Sequence, residues 1–164
     1  MLTVLMVATA AAGCAPDLVA GCSAPPDEPA LLDELAKDPA LSVTLPGAKR
    51  RDEPERREAC HRTEAEVTLT TVWVDYDLAR DTSPEEVRAA FDPVVSNAGW
   101  VAIPPPRQAP QGSYGVQYYC RDVLGRPSLL AVSWEGAKTI DEDTRVPAHL
   151  AVVIRGSADA ECRS

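Results

Sequence analysis

Five cysteines, at positions 14, 22, 60, 120 and 162, and two histidines, at 61 and 149, are the side chains best able to do chemistry in this chain. A thiolate beside an imidazole can attack a carbonyl, and three or four such groups together can hold zinc. Cys60 and His61 are neighbours in sequence, however, whereas a nucleophile and its base normally meet in space from separate parts of a chain. His149 stands alone at the head of an apolar run and no CxxC pair occurs, so neither a dyad nor a zinc site is assembled. Asp141, Glu142 and Asp143 form an acidic turn that lacks the glycine and terminal glutamate of an EF-hand calcium loop. Asp75 and Asp77 share one strand face, and nothing marks either as a general acid. With no GxSxG, no HExxH and no phosphate-cradling glycine loop, the sequence nominates no catalytic residue, no metal ligand and no cofactor. The competing class is a thiol-dependent enzyme or hydrolase that uses Cys60 or Cys120 with a histidine.

The elements that must position these residues are unevenly distributed. At 164 residues the chain suits one domain with a single core. Its three Trp, four Tyr and one Phe all lie between Trp73 and Trp134, which puts the core in the C-terminal part. Fifteen prolines, concentrated in 16–54 and 104–110, remove backbone donors there and mark tether and loop. A net charge of −9 argues against a nucleic-acid partner, because a phosphate-binding surface needs an excess of Lys and Arg. The densest basic stretch, KRRDEPERRE at 49–58, interleaves its positive charges with Asp and Glu and reads as a solvated linker.

Residues 1–13 carry no charge and run from Leu2 through Val7 into alanines, too short to span a bilayer but suited to the apolar part of a secretory leader. No basic residue precedes the run, and the true start is expected upstream. An apolar run ending small-small-Cys resembles the bacterial lipobox, whose cysteine is acylated and becomes the mature N-terminus. AAGC ends at Cys14, directly after the apolar run; VAGC ends at Cys22, with the better branched residue but with Asp17 in the way, a carboxylate costly to place in lipid. Cys14 is therefore the expected lipid attachment site and Cys22 its alternative, the other outcome being simple cleavage and secretion. Acylation would hold the domain at the outer face of the cell membrane.

Beyond the anchor, ALLDELAKDPAL puts Leu31, Leu32 and Leu35 on one face of a short helix near 30–37 within a tether expected over 14–59. The domain is expected over 60–164. Alternation over 64–78 predicts the longest strand. Ser83, Pro84 and Glu86 spell a capping box that starts a helix, Gly99 caps its end, and Pro93 predicts a kink or an early end near Phe91. Strands follow at 100–103, 115–123, 128–136 and 149–156, the second and third joined by the hairpin signal LGRP. The order β-α-β-β-β-β predicts an α+β fold: one mostly antiparallel sheet with a main helix on one face, a ferredoxin-like variant. Trp73, Trp100 and Trp134 are expected in its core. The proline-rich loop PPPRQAPQGSYG offers Arg107 and Tyr114 as binding candidates, with Tyr119 beside them.

The lipobox, LLDELAKDPAL followed by LPGA, SPEEVRAAF with AGW, and a strand carrying YYC together resemble a group of small secreted or lipid-anchored envelope proteins of high-GC Gram-positive bacteria. The resemblance implies compartment and topology, and no chemistry. Outside the cytoplasm cysteines usually pair. Antiparallel first and last strands would make Cys60 and Cys162 neighbours, whereas the resemblance implies a Cys60–Cys120 bridge. The functional expectation is a non-enzymatic envelope lipoprotein that reaches the membrane through its anchor and binds an envelope protein or cell-wall partner; an inhibitor of an extracellular enzyme, presenting the loop at 104–114, is the third reading.

Overall fold

In the computed structural model the described residues are 26–63, 66–79, 82–104, 115–139, 145–146, 148–156 and 162. The chain opens with helix α1 (Glu28–Leu35) and a 3₁₀ turn (Pro39–Ser42), then short strands β1 (Ala48–Arg50), β2 (Glu55–Arg57), β3 (Cys60–Thr63) and β4 (Glu66–Thr68). Strand β5 (Thr71–Leu78) leads into helix α2 (Pro84–Asn97), followed by β6 (Val101–Ile103), β7 (Gly115–Val123), β8 (Arg126–Glu135), β9 (Lys138–Thr139), β10 (Arg145–Val146) and β11 (His149–Arg155). Seven strands form one sheet in the order β1-β5-β11-β8-β7-β6, with β2 also paired to β5. Every pairing described within it is antiparallel. The fold is thus α+β, as the sequence predicts: α2 carries the chain from β5 to the far edge, and β6, β7, β8 and β11 return step by step to lie beside β5.

Period-two alternation decides which face is buried. Val72, Val74 and Tyr76 of β5 lie opposite Ile154, Val152 and Leu150 of β11, which in turn face Leu130, Val132 and Trp134 of β8. All nine are buried and belong to one cluster with Val87, Phe91 and Val95 of α2. Ser83 accepts from the Glu86 amide at 3.2 Å and Glu86 returns a bond to the Ser83 amide at 2.9 Å, completing the expected capping box. Gly99, at φ +84°, takes the left-handed conformation that ends the helix and releases Trp100 into the core. Leu124 and Gly125 both have positive φ, the signature of the tight turn joining β7 to β8.

Four expectations need correction. The tether expected over 14–59 is part of the fold from Glu28 on: Leu31, Leu32, Leu35, Ala40, Leu41, Val43 and Leu45 are all buried against the sheet cluster, and β1 and β2 pair along β5. A leucine face too short to hold a helix alone is stabilised once a sheet covers it, by about 1.5 to 3 kcal/mol for each fully buried leucine. The strand expected over 64–78 is interrupted at residues 69–70, because Thr70 turns inward and is buried, and the Thr71 hydroxyl donates to the Leu69 carbonyl at 2.9 Å. The longest strand is β8. Of the kink or early end expected near Phe91, the early end does not occur, since helix α2 continues through Pro93 to Asn97; Pro93 and Ala89 both lie on the exposed side, where water can take the carbonyl that proline leaves without a donor. Trp73, finally, lies on the opposite face of the sheet, half-buried, with the Arg57 guanidinium 5.3 Å from its ring centre, whereas Trp100 and Trp134 are buried.

Candidate functional site

A cavity lined by both polar and apolar groups lies where β7 runs past the end of β6. Gly99, Val101, Arg121, Asp122, Pro127 and the Cys120–Cys162 pair surround a volume of about 430 Å³. The residues reach it from opposite faces of one strand. Cys120 and Asp122 point to the face away from the helices, and Arg121, between them, points to the helix side, where its backbone partner is the buried Ser128. Cys120 is bonded to Cys162 with their Cα atoms 5.7 Å apart, and Cys162 lies 3.4 Å from the Ser128 carbonyl oxygen. The bridge thereby holds Cys162 against the β7–β8 ribbon. Val101, 66 % exposed, gives the rim an apolar side.

Arg121 is held by three groups. Its Nη1 donates to the Ala98 carbonyl at 2.6 Å, its Nη2 lies 2.9 Å from Asp38 Oδ2, and its guanidinium stands 4.7 Å from the centre of the Trp100 ring. Asp38 is wholly buried, and it also accepts from Trp100 Nε1 and from the Ala40 amide, each at 2.9 Å. A carboxylate with three donors is satisfied despite its burial, and the arginine beside it is neutralised and fixed rather than free to seize an anion. Arg121 Nε, also buried, has no partner among the described residues. A second buried node closes the same end of the sheet. Glu28 accepts from the Thr70 hydroxyl and from Arg126, Thr70 in turn accepts from the Ala59 amide at 3.1 Å, and the guanidinium pKa of Arg126 is raised by its bond to Glu28. What this end of the molecule offers chemically is a rigid, mixed apolar and polar recess, and its sulfurs are joined to each other.

The residues singled out from the sequence are not brought together. Cys120 sits in a disulfide, which leaves it no thiolate and removes it as a nucleophile. Both pairings expected for Cys60, with Cys120 and with Cys162, are overturned, since a sulfur takes one partner and these two have each other. Tyr119 does not serve a binding surface: it is 2 % exposed, and its hydroxyl donates to Asp92 at 2.6 Å. Burial first, and then this bond, push its pKa well above the ordinary 10.0. Cys60, in the separate β3–β4 pair, begins near the end of the main sheet opposite His149. Ala59, next to Cys60, contacts Thr70, whose carbonyl accepts from Gly156, and His149 begins the strand seven residues earlier, roughly 23 Å away at 3.3 Å per residue. His149 Nδ1 is 3.8 Å from Glu135 instead. Cys14, Cys22, Arg107, Tyr114 and the acidic turn at 141–143 lie outside the described residues. Sequence reasoning missed Asp38, Glu28 and Arg121; for the two carboxylates the signal was a charged residue beside the leucines of EPALLDELAKDPAL, and Arg121 carried none.

Among the described residues no three His, Cys, Asp or Glu side chains are grouped to hold a metal ion, and no helix is long and apolar enough to cross a membrane. No protein-family profile matches the chain, and neither a curated protein nor a solved structure does.

Proposed function

We propose that this chain is a lipid-anchored domain of a bacterial cell envelope that binds an envelope protein or cell-wall partner without catalysing a reaction on it. The observation that carries the reading is the Cys120–Cys162 bridge, because disulfides form and persist mainly outside the reducing cytoplasm. The apolar leader and the lipobox-like AAGC ending at Cys14 agree with it, as does the resemblance to small actinobacterial lipoproteins. The recess beside Arg121 and the bridge is the contact region we assign, since it combines an apolar rim with fixed polar groups. The anchor supplies stable membrane attachment only if two or more chains are added, which lipobox acylation provides.

Growth with radiolabelled palmitate in a Gram-positive host that exports and lipidates proteins tests this reading. The full chain should carry label and fractionate with membranes, and Cys14→Ala should abolish both. Unlabelled protein left in the cytosol with its leader uncut overturns it. Cross-linking from Val101→Cys in intact cells should then capture a partner that the same probe on exposed Arg155 does not.

A further inference from the structure

We infer that the recess receives a short extended peptide of a protein partner, which adds to the edge of β7 beside Asp122 and sets a basic side chain against the Asp122 carboxylate. This rests on the reading of the chain as a binding domain and gives its contact region a partner chemistry.

Leu124 and Gly125, both at positive φ, form a tight turn whose closing, hydrogen-bonded pair is Val123 and Arg126. Bonding direction alternates along an antiparallel strand. Val123, Arg121 and Tyr119 therefore bond toward β8, whereas Asp122, Cys120 and Tyr118 direct their N–H and C=O groups to the other side, where β6 lies. Val101 and Ile103 meet Cys120 and Tyr118 there, and the β6 pairing goes no further. The residues that would continue β6 past Val101 are drawn off to α2: the Trp100 amide bonds to the Val95 carbonyl at 2.9 Å and the Gly99 amide to the Ser96 carbonyl at 3.0 Å. Among the described residues nothing takes their place along β7. Asp122 thus keeps an open backbone donor and acceptor at the wall of the recess, and an extended peptide can exchange both bonds with it.

The side chains decide which peptide fits. Arg121 is spent on the buried Asp38, and Arg126, at the start of β8, on Glu28 and Asp27. Asp122 is exposed and has no ion-pair partner among the described residues. The recess is left with a negative charge that Lys or Arg on the incoming strand would balance and that Asp or Glu would oppose. A residue paired directly with Asp122 carries its Cβ about 4.5 to 5.5 Å away, on the same face of the sheet. Val101, the Cys120–Cys162 bridge and Pro127 share that face, so the aliphatic stem of a lysine lies along them while its head reaches the carboxylate. The net charge of −9 attracts a basic segment from a distance as well.

Nuclear magnetic resonance of the isotope-labelled full chain, with its Cys120–Cys162 bridge closed, tests the assignment against acetylated, amidated tripeptides. The Asp122 amide should exchange freely with solvent in the chain alone. Val-Lys-Val at millimolar concentration should slow that exchange and shift the Val101 and Asp122 resonances. Replacing its lysine by norleucine should weaken binding about threefold, the worth of an exposed ion pair. Methylating the lysine backbone nitrogen should weaken it about fivefold, the worth of one hydrogen bond. Asp122→Asn should erase the preference for lysine over norleucine at an unchanged urea midpoint. An Asp122 amide already protected in the chain alone, equal binding of Val-Glu-Val, no loss on methylation, or no shift with any peptide overturns the strand addition and leaves the palmitate label, and with it the envelope reading, standing. An unlabelled cytosolic chain that still prefers the lysine peptide overturns the envelope reading and keeps the strand addition.

Discussion

Two segments that stand outside the sheet's long strands are fastened to it in opposite ways. Residues 28–57 are held by many weak contacts: leucines driven into the core, two short strands along the β5 edge, and two buried carboxylates, Glu28 and Asp38, that reach across to arginines of the β7–β8 ribbon. Cys162, near the other end of the sequence, is held by a covalent bond to Cys120. Burial is cooperative with the whole core and indifferent to redox conditions, whereas the bridge acts chiefly by limiting the unfolded chain and fails when it is reduced. The attachment of the N-terminal segment is therefore insensitive to redox conditions, whereas that of Cys162 is not.

The sharpest way to break this contrast is at Asp38. Asp38→Ala leaves the Arg121 guanidinium and the Trp100 indole nitrogen without their acceptor, and it should lower stability by about 3 to 5 kcal/mol in urea unfolding, equally with and without reductant. Leu35→Ala should cost about 2 to 5 kcal/mol by the same measurement, because the side chain is wholly buried and its neighbours can close the cavity only partly. Were residues 28–57 a tether, neither change would move the midpoint. Cys162→Ser should cost about 2 to 4 kcal/mol for a closed loop of 42 residues, and its unfolding curve should overlay that of the native protein in reductant.

Tyr119 supplies a pH test of the core. Its pKa is raised in the folded state, so above pH 10 the unfolded chain loses a proton that the folded chain keeps. The stabilisation is complete below that pH and declines as pH rises beyond it; Tyr119→Phe should flatten the alkaline slope of the urea midpoint. The smallest effect is expected at Arg51, whose 2.7 Å pair with Asp77 is half exposed: Arg51→Ala should change stability by less than about 1 kcal/mol, and less still in high salt.

The parts of the fold legible in the sequence are those whose cause is local. The capping box at Ser83 and Glu86, the alternation of β5 and the Leu124–Gly125 turn need only neighbours along the chain to explain them. Leu31, Leu32 and Leu35 were visible as a face, but what they face is contributed by residues forty and more positions later. Glu28 and Asp38 were illegible for the same reason, since a buried carboxylate looks like a surface one until its arginine is found. The recess was less legible again. Arg121 gave no sign of its contact with Trp100, and cysteine positions alone do not specify which sulfurs meet. Gly115 shows how far such information can hide: a methyl group there would lie 2.1 Å from the Trp134 ring, a constraint invisible in either residue by itself.

The Glu28 node also sets an orientation. The chain enters the domain beside Thr70 and Arg126, and Arg126 is next to Pro127, which lines the recess. The entry of the chain and the recess therefore share one end of the sheet, with Asp77, Glu135 and His149 at the other.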